Sequence, residues 1–229
     1  MPDSQNPQPQ APQGFVVNLV GRPAFWVVFT GLILTLAIVR ATWSGVPDPP
    51  PILLDVPEFA LVDQNDESFG SDDLRGKLWV ANFIFTRCTT ICPVFTEKMG
   101  TIQHRVKQLQ PHMKLVSFSV DPEYDTPAIL AEYAYQHRAS PRLWHFLTGD
   151  NAAVQSIVVE GLKTTLQQDE DSTNPDGILH GSHFVLVDHL MRIRGFYDVN
   201  DEDSVRRMMS DIQMILLELN RDATALSAR

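Results

Sequence analysis

Residues 78–85 read LWVANFIF and run straight into TRCTTICP, residues 86–93. The first octet is apolar except for Asn82, a run of strand length rich in aromatic and branched side chains. That is the pattern of a β-strand buried on both faces, and it is read as the central strand of a sheet. Downstream, Phe95, Met99, Ile102, Val106 and Leu109 recur at spacings of four, three, four and three, which lays one apolar stripe along a helix that Pro111 stops. Residues 114–120 (KLVSFSV) form a second strand, followed by DPEYDTP and a helix over 128–136. Together these make a β-α-β unit.

Toward the carboxyl end, residues 184–187 and 192–197 suit two strands of a hairpin. Val205, Met208, Met209, Ile212, Ile215, Leu216 and Leu219 then repeat helically. Strand-helix-strand-helix followed by a hairpin and a helix gives an α/β fold, a mixed sheet with flanking helices. The thioredoxin-like architecture is the simplest form of that order.

The chain has 229 residues, 44% apolar and 20% charged, enough for one sizeable core plus appendages. Its two cysteines are too few to staple a fold lacking its own core. The formal charge of -10 argues against a nucleic-acid binder, which needs a basic footprint to displace phosphate counterions.

At the amino end, PDSQNPQPQAPQ has no apolar periodicity, and residues 1–22 are read as a disordered tail. From Pro23 to Val39 the chain carries no charge; at about 1.5 Å per residue it reaches roughly 26 Å of a hydrocarbon core about 30 Å thick. Arg40 can snorkel, so residues 23–43 are assigned as one transmembrane helix. A cleaved signal peptide would have a shorter apolar region ending in small residues of the A-x-A kind, whereas the exit here is RATWSG. Residues 1–21 contain neither Lys nor Arg, which argues against a mitochondrial presequence, and one Arg on each side of the span leaves its orientation open. A Pro-rich linker follows over 44–54, then the globular domain over 55–220 and a tail over 221–229.

Cys88 and Cys92 fall between the buried strand and the long helix, where open α/β sheets place their chemistry. Around a helix start, i and i+4 share a face, and the terminal N–H groups and dipole favour the thiolate. Two such thiols can form a reversible disulfide or clamp a soft metal such as Cu(I). A structural disulfide across so short a loop would constrain the unfolded chain only weakly. Structural zinc needs a second ligand pair that the sequence does not offer. A peroxidase of the peroxiredoxin kind would need P-x-x-x-[ST]-x-x-C, which precedes neither cysteine.

Three segments, Cys88-T-T-I-Cys92-Pro93, SVDPEYDTP over 119–127 and LHGSHFVLVD over 179–188, together resemble the Sco/SenC family in order and rough spacing across about residues 55–218. The resemblance implies a membrane-anchored, thioredoxin-like domain facing the bacterial periplasm or the mitochondrial intermembrane space. It implies copper bound by Cys88, Cys92 and His180, the histidine four positions before the F-x-L-V-D strand. Such proteins assist metallation of the copper-A centre of cytochrome c oxidase, as copper donor, thiol reductant or both. The partners implied are cytochrome c oxidase subunit II and another copper chaperone or thiol reductase. The bacterial inner membrane, with the domain in the periplasm, is the expected location. The rival is a membrane-tethered thiol-disulfide oxidoreductase in which Cys88 and Cys92 are the redox-active pair and His180 is dispensable. Two departures from the family pattern stand out: Thr89 where proline is usual, and DHLMR where a D-P-x-G type turn is usual.

Other candidates have simpler explanations. His104 lies off its helix's apolar stripe; His112, His137 and His145 sit in or near connections; His189 falls in the hairpin turn. His183 opens a strand that fixes its direction. Met208, Met209 and Met214 have the spacing of core packing. Residues 167–177, QQDEDSTNPDG, form an acidic loop that would let His180 approach or leave the thiols. Asp125, with Thr126 and Pro127, reads first as a helix-start signal.

Overall fold

The computed structural model describes residues 22–43, 48–88, 92–163, 167–168, 178–179 and 183–227. The chain divides into two compact units at Pro47/Asp48. In the first, α1 (Pro23–Trp43) begins with proline, whose missing N–H costs nothing at a helix start. Its Thr30 and Thr35 hydroxyls donate back to the carbonyls of Trp26 and Gly31, so these two need no partner from lipid. Over Pro23–Arg40 the mean hydropathy is 1.9, long and apolar enough to cross a membrane.

The second unit comprises β1 (Leu54–Asp55), β2 (Ala60–Asp63), β3 (Ser68–Gly70), α2 (Ser71–Leu74), β4 (Leu78–Ile84) and α3 (Cys92–Val106). These are followed by β5 (Met113–Ser119), α4 (Pro127–Gln136), β6 (Trp144–Thr148) and α5 (Asn151–Gln155), which leads into a π-helical turn (Ser156–Gly161). The short strands β7 (Gln167–Gln168) and β8 (Ile178–Leu179) pair with each other. Finally come β9 (His183–Val187), β10 (Arg192–Asp198) and α6 (Glu202–Ser227). The main sheet has the order β1-β10-β9-β4-β5-β6-β2-β3. β4 lies parallel to β5, which lies parallel to β6, and β4 runs antiparallel to β9 on its other side. The octet that opens the sequence argument is thus the sheet's central strand, as its composition requires.

Alternation along β4 divides the core in two. Leu78, Val80 and Ile84 face Phe95, Met99, Ile102 and Val106 of α3 and Met208, Ile212 and Ile215 of α6. Trp79, Ala81 and Phe83 point the other way, into a cluster with Val154, Ile157 and Val158. The sheet is therefore covered on both faces, and Met208 packs as its spacing predicts. Asn82, the polar residue in the octet, accepts from the Ser117 hydroxyl at 2.6 Å, which in turn accepts from Trp144 Nε1 at 2.8 Å. This link across β4, β5 and β6 satisfies polar atoms that would otherwise weaken the core.

Three expectations need correction. His145 lies inside β6, not in a connection. It is buried, its ring 4.4 Å from that of Phe69 and its Nε2 3.2 Å from Lys114 Nζ. The chain before residue 55 is not all linker, because Leu54 pairs with Ile193 and Leu53 N donates to Ile193 O. At the other end, α6 continues to Ser227, past the expected tail boundary at 221.

Candidate dithiol site

β4 delivers the chain to Phe85, and the Cys88 N–H donates to the Phe85 carbonyl at 3.1 Å, closing a tight turn over Thr86 and Arg87. Cys92 begins α3, and its N–H donates to Cys88 Sγ at 3.3 Å. The two residues, carried as thiols, form a small buried cluster with Phe85, against which Val120 packs. Cys88 is 6% exposed and Cys92 is fully enclosed.

Burial overturns one expectation at this helix start. Desolvation pushes the Cys92 thiol well above its ordinary range, and the Phe85 backbone contact only partly offsets it. For Cys92, burial opposes the thiolate that a helix-terminal dipole favours, while its own N–H is directed to Cys88 Sγ.

The loop after β5 holds this turn in place. Asp125 is fully buried and accepts from Thr86 N at 3.1 Å, from the Thr86 hydroxyl at 2.5 Å and from the Ser119 hydroxyl at 2.6 Å. The helix-start role expected of it belongs to Thr126, which accepts from Ile129 N, with Pro127 at the first helical position. Asp125 instead ties the end of β5 to the residue two before Cys88. Desolvation raises its pKa despite the hydrogen bonds from Ser119 and Thr86. Outside it, Arg87 Nε bonds Asp121 Oδ2 at 3.1 Å, and the guanidinium lies 4.4 Å over the Tyr124 ring. On the helix side, Thr96 and Tyr133 share a hydrogen bond of 2.7 Å between their hydroxyls, and burial pushes the Tyr133 hydroxyl up to about 12.

The sequence reading did not anticipate Arg87, Tyr124, Thr96 or Tyr133. The available signal was a surplus: with Thr126 serving as cap, the polar residues of DPEYDTP at the end of a buried strand needed another employment.

His180 lies outside the described residues, as do 89–91 and the acidic loop over 169–177. His183 opens β9 opposite Asp198 and is exposed. Among the described residues, no group of three or more His, Cys, Asp and Glu is gathered to hold a metal ion. The donor set that is present, two soft sulfurs on one face, suits a Cu(I)-like cation better than a hard one.

A dithiol bridging the carboxyl end of a central parallel strand and the start of the next helix defines a thioredoxin-like thiol protein. The SCO1/SenC family model matches residues 54–217, nearly the whole second unit, and the chain belongs to that family. The "SCO1 protein homolog" of Bacillus subtilis (strain 168) is 33% identical over 138 residues, covering 60% of this chain and 70% of that protein. The structure of BsSco, a member of the Sco family of cytochrome c oxidase assembly proteins with a disulfide switch, is 29% identical with a TM-score of 0.64, covering 74% of this chain and 98% of that one. Bradyrhizobium japonicum ScoI, solved with copper bound, shares the fold at 22% identity and a TM-score of 0.57, covering 68% of this chain and 98% of that one.

Proposed function

We propose that this protein is a membrane-anchored copper metallochaperone that assists assembly of the copper-A centre of cytochrome c oxidase, with Cys88, Cys92 and His180 as its copper ligands. The observation that carries the reading is the pairing of two buried thiols, with Cys92 N–H on Cys88 Sγ, at the site-forming junction of a SCO1/SenC fold. Copper is the cargo. Both sulfurs must give up their protons to hold it, so occupancy responds to pH and to redox state. Oxidation of the pair removes two electrons and two protons, forms the S–S bond and eliminates both thiolate ligands at once. The disulfide switch named for BsSco favours this on-off scheme. It equally favours the second reading, a membrane-anchored thiol-disulfide oxidoreductase without a metal-delivery role.

Among the described residues one helix is long and apolar enough to cross a membrane, which supports α1 as an anchor in the bacterial inner membrane, with the dithiol domain in the periplasm. The partners are then cytochrome c oxidase subunit II and the copper chaperone or thiol reductase that recharges the pair.

Copper titration of the full chain in detergent micelles, loaded anaerobically, separates the two readings. The reduced protein should take up stoichiometric copper and the oxidised protein none. His180→Ala should weaken binding and change the Cu(II) absorption spectrum while the thiolates still hold Cu(I) more loosely; His183→Ala should change neither. Undiminished uptake by the oxidised form, or a normal spectrum in His180→Ala, refutes the proposed ligand set.

A further inference from the structure

We propose that Arg87 and Tyr124 form a preorganised plate on which a partner polypeptide carrying a cysteine pair docks while its sulfur exchanges with Cys88. The proposal rests on the reading above that the dithiol serves another protein, and it names the surface that selects that protein.

Access argues first. Cys92 is sealed and Cys88 is only 6% exposed, so a reacting sulfur has to approach Cys88 from the solvent side, past the residues beside it. Arg87 is its chain neighbour. Tyr124, on the loop after β5, carries the Arg87 guanidinium 4.4 Å over its ring. Both are well presented to solvent: the Arg87 side chain is 45% exposed and Tyr124 43%.

Rigidity argues second. Asp121 takes Nε and Nη2 of Arg87. Asp121 is itself fixed, its N–H on the Ser119 hydroxyl at 3.1 Å and its carbonyl accepting from Tyr124 N at 3.1 Å. Beneath them Asp125 bolts Thr86 to Ser119. The plate therefore loses little side-chain entropy when a partner covers it. The Arg87–Asp121 pair, 45% exposed on the arginine side and 13% on the aspartate side, fixes the guanidinium from below and leaves its outer face to solvent.

Chemistry argues third. Arginine and tyrosine are the residue types that dominate protein–protein contacts when held rigidly. With Asp121 on the Nε/Nη2 edge, no described acceptor takes Nη1, which can donate to a carbonyl oxygen beside the partner's cysteine. The Tyr124 ring offers an apolar edge to a neighbouring side chain. In the exchange itself, Cys88 sulfur attacks one sulfur of the partner's disulfide, breaking that bond and forming a mixed disulfide. Cys92 sulfur then attacks Cys88 sulfur, and the protons of the two thiols pass to the two partner sulfurs as each is displaced, which releases the partner as a dithiol. Two electrons pass to the partner, and the Cys88–Cys92 disulfide remains.

The test compares two disulfides against the full chain in detergent micelles: the oxidised, copper-free copper-A domain of a bacterial oxidase subunit II, and hydroxyethyl disulfide, which is too small to use the plate. Tyr124→Ala and Arg87→Leu, checked for native circular dichroism and Tm, should each lower the rate constant with the protein probe by about tenfold, a hot-spot effect of about 1.4 kcal/mol. Their rates with hydroxyethyl disulfide should stay within about twofold of wild type, since no contact with the small probe is lost. Parallel loss with both probes would mean that the residues act on the dithiol itself, and unchanged rates with the protein probe would mean that nothing docks there; either overturns the proposal. Copper uptake by wild type is read separately, so failure of the metallochaperone reading shows as absent copper and not as a change in these rates.

Discussion

Replacing Arg194 by methionine tests how the chain segment leading into β1 is locked to the domain. The Arg194 side chain is 2% exposed, and its Nη1 donates to Asp188 Oδ2 at 2.9 Å while Nη2 donates to Glu218 Oε2 at 2.9 Å. Its Nε and Nη2 also hold the Pro50 carbonyl, at 2.9 and 2.7 Å. One guanidinium thus joins β10, α6, the end of β9 and the segment leading into β1. Breaking a buried pair by removing one partner costs about 3–5 kcal/mol. Here the lower end applies: Arg192 Nε still bonds Asp188 at 2.8 Å, and Glu218, at 29% exposure, can turn to water. A loss of about 3 kcal/mol lowers Tm by roughly 6–12 °C for a domain of this size. In urea, the midpoint falls by about 1.5 M if the slope is about 2 kcal/mol/M. Residues 48–229 form a compact unit with its own core and can serve as the test protein. Burial alone would raise the Asp188 pKa, but hydrogen bonds from Arg192 and Arg194 outweigh it and hold the group below the usual range. Its contribution is present above the ordinary Asp pKa and lost as pH falls through the depressed value, so the variant should become acid-sensitive at a higher pH than wild type. A loss under about 1 kcal/mol, or an unchanged acid limb, would refute a clamp role for Arg194.

Two further outcomes follow from the geometry. Asp125 has a raised pKa, so its stabilising contribution is fully present below the ordinary Asp value and lost as pH rises through the raised one; Asp125→Asn should be most destabilised near about pH 4, with the gap to wild type narrowing toward neutrality in urea titrations, and a gap that widens with pH would contradict this. Arg138, exposed just after α4, takes φ 53°; Arg138→Gly should relieve about 1 kcal/mol of left-handed strain and raise Tm by roughly 2–4 °C, and a lowered Tm would show that the side chain matters more than the backbone.

Legibility of the fold followed the strength of periodicity. β4 is buried at all seven positions, and α3 carries its apolar residues on one stripe, so both are unambiguous in the chain. β1 is two residues long and β2 only four, too short to show alternation. They exist because the sheet edges supply backbone partners, Ile193 for Leu54 and Gly70 for Ala60, which no local pattern announces. β6 was missed for a different reason. Its histidine looks like loop chemistry until Lys114, Asp63 and Phe69 gather round the ring, and those partners come from three distant segments.

The site was legible in its position and not in its electrostatics. Strand end, helix start and a closely spaced cysteine pair were enough to locate a dithiol, because Cys88 sits in the turn after β4 and Cys92 opens α3 with its N–H on Cys88 Sγ. The same local logic predicted an activated thiolate from the helix dipole, and it failed for Cys92 because desolvation is set by Phe85, Val120 and the sheet above, not by the helix. Asp125 shows the same limit from the other side. Its sequence neighbours Thr126 and Pro127 suit a cap, yet its carboxylate is committed to Thr86, 39 residues away. Residues whose role depends on local geometry can be read from the chain, whereas those whose role is to hold a turn from across the sheet declare themselves only when both ends of the contact are in place. The same distinction bears on the site: Cys88 is 6% exposed and Cys92 fully enclosed, an asymmetry set by the packing around the turn that no spacing of cysteines announces.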